Sequence, residues 1–210
     1  MSAGEGSGPA VYWPPLTEGT LLKREKRFLV HVRLKTGETV TGYTNNTGRM
    51  TGCCEPGRTV YLSERKTARG KYPYRLEMIL MDDGLVGVDT LIPNQLAAAA
   101  AGANFFPAWP KDPQVVREAV LGRHRLDLKL SAAGETAWVE VKNCSWVEEG
   151  TAYFPDAVSL RAAGHMKILA ELAAGGDRAQ VLILVQRSGA RVFRPAGHID
   201  PQFAASLREA

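Results

Sequence analysis

Two short segments in the second half of the chain, Leu126 to Leu130 and Trp138 to Lys142, constrain its fold more than any other stretch. In the first, Leu126, Leu128 and Leu130 alternate with Asp127 and Lys129; in the second, Trp138 and Val139 lead into Glu140, Val141 and Lys142. Alternation with a period of two marks strands. Facing repeats every second residue, so Glu140 and Lys142 point to one side, and a hairpin through Ser131 to Glu135 brings Asp127 to that side as well. Two carboxylates and one ammonium then share a patch. Such hard oxygen ligands suit Mg²⁺, which takes one or two carboxylates and completes its shell with water and phosphate oxygens. The metal acidifies a bound water, and a nearby lysine orients that water or offsets charge developing on phosphate, as phosphodiester hydrolysis requires. A surface hairpin with an ordinary ion pair is the plain alternative, because the same pattern occurs in many unrelated chains.

Length and composition allow the sharper reading. A chain of 210 residues, 45% hydrophobic and 23% charged, buries a real core in one large or two small domains. No apolar run approaches the ~20 residues of a membrane span, and the Gly/Ser-rich start lacks the regions of a signal peptide, so the expected compartment is the cytoplasm. Cys53, Cys54 and Cys144 form an odd set whose close pair is adjacent. That spacing suits neither zinc nor a secreted disulfide framework. His31, His124, His165 and His198 are scattered and argue against a zinc site as well.

Charge distribution says more than the formal +4. Between Arg49 and Arg75 stand seven basic residues, Arg49, Arg58, Arg65, Lys66, Arg69, Lys71 and Arg75, against Glu55 and Glu64. Tyr72 and Tyr74 are interleaved with them. A surface that follows a phosphate backbone and stacks bases has this composition, and so does a solvated basic loop.

Taken in order, residues 1–13 read as a flexible N-terminal segment. Phe28 to Leu34 and Thr39 to Thr44 flank a turn at Lys35 to Glu38, and further strands are expected over Thr59 to Leu62, Tyr74 to Met81 and Leu85 to Asp89. About five short strands in this span suggest a small barrel, of which the oligonucleotide-binding (OB) type comes first. An alanine-rich helix from Asn94 to Ala101 leaves it, which puts the barrel in residues 14–103 and a second domain in residues 104–210. That domain is expected to begin with a short helix over Gln114 to Leu121 carrying Glu118. The two strands follow, then an irregular stretch from Asn143 to Asp156, a helix from Ala157 to Ala174, and a strand from Val181 to Val185 buried on both faces. A short strand at Ala190 to Phe193 and a helix from Pro201 to Glu209 complete a mixed sheet flanked by helices. Arg161 and His165, four residues apart on the long helix, share one edge of it and are candidates for the same cleft.

Several motifs in order carry a resemblance: Asn46-Thr47-Gly48-Arg49-Met50-Thr51-Gly52-Cys53, Arg69-Gly70-Lys71-Tyr72-Pro73-Tyr74, Pro93-Asn94, Arg125-Leu126-Asp127, Val139-Glu140-Val141-Lys142 and Tyr153-Phe154-Pro155-Asp156-Ala157-Val158. Together they closely resemble the sugar fermentation stimulation protein family, SfsA, over roughly Pro14 to Asp200. The resemblance implies an α+β protein of two domains, an N-terminal OB-like barrel and a C-terminal restriction-endonuclease-like PD-(D/E)XK mixed α/β domain. It implies DNA binding, with RNA as a further candidate, and a regulatory role in sugar, particularly maltose, metabolism. Asp127, Glu140 and Lys142 fall on the nuclease-type signature, with Glu118 on the preceding acidic position and Mg²⁺ as the expected ion. Arg49, Arg65, Lys66, Arg69, Lys71, Tyr72, Tyr74 and Arg75 are the expected nucleic-acid contacts. Binding without cleavage ranks first at this stage, since a fold does not establish chemistry.

Overall fold

The computed structural model describes residues 8–65 and 71–209. The first half alternates apolar and polar residues and folds into strands β1 (Leu16–Glu25), β2 (Leu29–Leu34), β3 (Thr39–Tyr43), β4 (Thr59–Glu64), β5 (Tyr74–Met81) and β6 (Gly84–Gly87). They run in the order β3-β2-β1-β4-β5-β6, and β3 also pairs with β5, which closes the first five into a barrel. Closure needs Gly42: a Cβ there would stand 2.8 Å from the Tyr74 carbonyl oxygen on the facing strand. Inward residues such as Leu21, Val30, Leu62, Leu76 and Ile79 fill the interior completely.

Helix α1 (Leu91–Gly102) follows, expected as an exit helix of the barrel. Its buried alanines instead pack with Leu128, Leu130, Val139 and Val141 of the second domain. Gln114 to Leu121, expected as a helix, is strand β7 (Gln114–Leu121), paired antiparallel with β8 (His124–Ala132). Val115, Val116 and Val120 are stiff at χ1 and favour a pleated surface, and Gly122 turns the chain tightly back at φ 57°. β8 pairs antiparallel with β9 (Glu135–Cys144), joined by the expected hairpin. The stretch after Asn143 is more regular than its composition suggests: β10 (Trp146–Glu148) and β11 (Thr151–Phe154) form a second hairpin.

Helix α2 (Leu160–Ala174) starts where the Ser159 hydroxyl accepts from the Ala162 amide, and Gly175-Gly176 ends it. β12 (Arg178–Val185) pairs parallel with β9 at the end of a four-stranded sheet of order β12-β9-β8-β7. Its apolar run was expected to be buried on both faces. As an edge strand it is only half-buried throughout. β13 (Val192–Pro195) joins β11 in parallel, and α3 (Pro201–Glu209) packs on α2. Asp200 holds both helix starts, accepting from the Ser159 amide at 2.8 Å and the Phe203 amide at 2.9 Å. No helix among the described residues is long and apolar enough to cross a membrane.

The domains are stitched by backbone as well as side chains. Gly87 N–H donates to the Gln186 carbonyl at 2.8 Å, and Met50 N–H donates to Asp156 Oδ2 at 2.6 Å. Arg187 donates to both carboxylate oxygens of Asp83 and to the Gly52 carbonyl. Part of the expected flexible segment 1–13, residues 1–7, lies outside the described residues, as do Lys66 and Arg69.

Candidate functional site

Between the barrel and the C-terminal sheet lies a cleft of about 490 Å³. Asp127, Glu140 and Lys142 form its floor, and the Asn45 to Gly48 loop with Arg27 forms the barrel wall. Tyr153 to Ser159 and Arg161 form the opposite wall. The Arg24 guanidinium donates to four carbonyls, those of Arg27, Asn46, Gly48 and Arg49, and so shapes the barrel loop. Gly48 lets Asp156 approach closely, since a Cβ there would lie 2.9 Å from Asp156 Oδ1 and displace that carboxylate.

The floor is built by the β8–β9 hairpin. Regular pairing ends at Leu128 opposite Val139, and beyond it the Asp127 side chain takes over: Oδ2 accepts from the Val141 amide at 2.7 Å. Asn94 of α1 donates to Oδ1 at 2.8 Å. Facing changes at this point, since Leu126 packs with α2 while Leu128 and Leu130 pack with α1. The hairpin therefore brings Asp127 to Glu140 and Lys142 through a local irregularity rather than through simple alternation. Burial, with the Glu140 charge added, pushes the Asp127 carboxyl above the usual carboxylate range.

Glu140 is 2% exposed. Its Oε1 receives both the Lys142 ammonium and His165 Nδ1 from α2, whereas Oε2 has no hydrogen-bond partner. Burial pushes this carboxyl up, but His165 and Lys142 together outweigh burial and hold it below the usual range. Arg161 stands exposed on the rim while His165 is buried beneath Glu140, so the two helix residues meet different parts of the site.

Other expected residues lie elsewhere. Glu118 is on β7 with φ 52°, half-exposed and paired with Arg125 at 2.7 Å, and does not line the cleft. A strand in place of the expected helix carries it away. Arg75 is internal: it pairs with buried Glu77 at 2.7 Å and buried Asp89 at 3.1 Å, a structural role that removes it from the expected contacts. Tyr74 packs against the barrel core. Arg49 is exposed, Arg65 lies over the Tyr43 ring at 5.3 Å, and Lys71 over the Tyr72 ring at 5.6 Å. Sequence reading gave no role to Arg27, Asn94, Asn143 or Asp156. Asn94 and Asp156 stand within motifs that carried the family resemblance, which was the available signal.

The described residues contain no group of three His, Cys, Asp or Glu side chains arranged to hold a metal, which leaves the two carboxylates of the floor. A donor set of that size suits a hard, strongly hydrated divalent cation and does not suit zinc. The class defined is thus a two-domain protein in which a small β-barrel walls a cleft floored by the carboxylate-lysine cluster of a mixed α/β domain.

Comparison with known proteins is specific. Residues 22–88 match the SfsA N-terminal OB domain, and residues 91–210 match the sugar fermentation stimulation protein RE domain. The chain belongs to the sugar fermentation stimulation protein family. It is 40% identical over 200 residues to a sugar fermentation stimulation protein homolog of Acidithiobacillus ferrooxidans, covering 94% of this chain and 86% of that one. A homolog from Citrifermentans bemidjiense is 41% identical over 197 residues, covering 93% and 85%. Pyrococcus furiosus SfsA, solved in complex with Ca²⁺, superposes with a TM-score of 0.88 at 27% identity, covering 96% of this chain and 86% of that one.

Proposed function

We propose that the protein binds nucleic acid, DNA in the first instance, in the interdomain cleft and hydrolyses its phosphodiester bonds with a divalent cation held by Asp127 and Glu140. The observation that carries this reading is Glu140 Oε2, a buried carboxylate oxygen at the cleft floor with no hydrogen-bond partner. An acceptor left in that condition costs free energy until a ligand satisfies it. The Ca²⁺ complex of the Pyrococcus furiosus protein supports a hard divalent ion, and Mg²⁺ fits the same donors.

Each residue has a task on this reading. Val141 N–H and Asn94 fix the Asp127 carboxylate, while His165 and Lys142 fix Glu140. Lys142 sets positive charge where negative charge develops on the phosphoryl oxygens in the transition state. Arg27 and Arg161, on opposite walls, guide the backbone in, and exposed Arg49, Arg65 and Lys71 extend the basic surface over the barrel. A bound cation supplies an acidified water and neutralises phosphate charge. The connection with sugar fermentation that the family's name carries then runs through nucleic acid, DNA or RNA.

Binding without cleavage is the second reading, favoured by the position of Glu118: among the described residues no third acid joins the two on the floor, Asp156 standing on the wall and engaged with the Met50 amide. Labelled DNA and RNA incubated with Mg²⁺, Mn²⁺ or chelator separate the two. Metal-dependent cleavage that falls at least about 100-fold in Glu140→Gln and Lys142→Ala is the expected result. Salt-sensitive binding with no cleavage in any metal would sink the hydrolytic reading and leave the binding one.

A further inference from the structure

We infer that Tyr153, backed by Trp146, is a stacking platform for a nucleobase, and that the cleft therefore takes nucleic acid as a single strand. The inference rests on nucleic acid being the ligand and adds the form in which it enters.

The β10–β11 register sets Trp146 opposite Tyr153, with ring centroids 5.1 Å apart and planes tilted by 39°. Trp146 is 6% exposed, and its indole N–H donates to Glu148 at 2.8 Å, so the backing ring is fixed. Tyr153 in front of it is half-buried. The cleft is otherwise lined mainly by polar and charged groups, and its third aromatic, Phe154, is committed to the core against Phe203 at 5.3 Å. His198 meets both rings edge-on, 5.7 Å from Trp146 and 6.2 Å from Tyr153, and Tyr153 is the half-buried ring of this cluster that lines the cleft.

An aromatic wall beside a phosphate-directed floor matches a nucleotide unit, with base on one side and backbone on the other. A base inside a duplex is already stacked and paired, whereas an unpaired base offers its face. Cleft size agrees. About 490 Å³ is room for a nucleotide unit. The walls are also tied by the Met50 amide to Asp156 and by Gly87 to Gln186, which resists widening. Stacking needs no particular base, so tolerance of sequence follows.

The test is fluorescence anisotropy in chelator with three probes of about 12 nucleotides: a single strand, its duplex, and a backbone of the same length without bases. Wild-type protein is expected to prefer the base-bearing single strand about tenfold over the other two. Tyr153→Ala should lose about tenfold on that strand and nothing on the base-free backbone, and Tyr153→Phe should keep wild-type affinity. Equal wild-type affinity for strands with and without bases would overturn the inference and leave nucleic-acid binding standing. So would a Tyr153→Ala loss that is the same on all probes, which a purely structural tyrosine would give. Failure of wild-type protein to bind any probe would remove the functional reading itself.

Discussion

The two carboxylates at the cleft floor are driven in opposite directions, and this gives them opposite effects on stability. Asp127 is pushed up by burial and by the charge of Glu140, so the folded state disfavours its ionised form. Its contribution is present below the unfolded pKa of about 4 and is lost as pH rises through the higher folded value. Asp127→Asn in chelator should therefore melt at a higher temperature than wild type at pH 7 and lose that advantage as pH is lowered towards 4, and with Mg²⁺ present it should not cleave. Glu140 is held down by His165 and Lys142 against its burial, so its contribution is present above the unfolded pKa and disappears as pH falls through the depressed one. Glu140→Gln should lose about 1–3 kcal/mol at pH 7, a deficit that shrinks in acid and that denaturant titration at several pH values would show. Period-two alternation made Glu140 and Lys142 legible as one side of a strand, and the hairpin made Asp127 their neighbour, though it joins them through an irregularity that alternation does not announce. Asn94 touches Asp127 from 33 residues away with no spacing to announce it, whereas His165, a cleft candidate by its helical spacing from Arg161, reaches Glu140 from 25 residues away. Arg75 was misread for a related reason: a count of basic residues cannot separate a free guanidinium from one neutralised by Glu77 and Asp89.

Elements were readable where a single face decides them and unreadable where tertiary position does. Val30, Val32 and Leu34 alternate towards one core, and their strand emerges as expected. Gln114 to Leu121 has no clean period, and its pairing with β8 settles what its pattern could not. β12 shows the same limit from the other side: an apolar run specifies a strand, but its half-exposure follows from its place at the end of the sheet. Barrel closure is likewise hidden in one small residue. At Gly42 an added methyl would meet the Tyr74 carbonyl at 2.8 Å and its Cβ at 3.1 Å, and strand backbone cannot swing aside as a side-chain tip can. Gly42→Ala should cost about 1–3 kcal/mol in urea unfolding. Gly102→Ala, at the end of α1 with nothing within 4 Å, should be neutral or stabilising by about 0.5–1 kcal/mol. Equal costs at the two positions would mean that the β3–β5 contact does not limit the barrel.

At the scale of the molecule, the cleft exists because two separate cores are held in one orientation. The ties are specific: Asp156 on the Met50 amide, Arg187 on Asp83 and Gly52, Gln186 on Gly87 and the Asp89 carbonyl, and Ser188 on the Asp83 carbonyl. Asp156 is the most consequential, since the Met50 amide it satisfies lies in the loop that walls the cleft. Removing it leaves a part-buried donor unpaired at about 1–3 kcal/mol. Arg187 contributes less through its ion pair, about 0.5–1 kcal/mol, because Asp83 is 40% exposed. That share has a definite pH dependence: Arg187 holds the Asp83 carboxyl below its ordinary range, so the contribution is present above about pH 4 and is lost as pH falls through the depressed value. Calorimetry of wild-type protein at pH 7 should show one transition for both domains. In Asp156→Ala/Arg187→Ala it should separate into two, with nucleic-acid affinity falling while each isolated transition keeps its own enthalpy. A single unshifted transition in the double variant would place the coupling in the remaining bonds of Gln186 to Gly87 and Asp89 and of Ser188 to Asp83, and the cleft would then keep its shape and its affinity without either side chain.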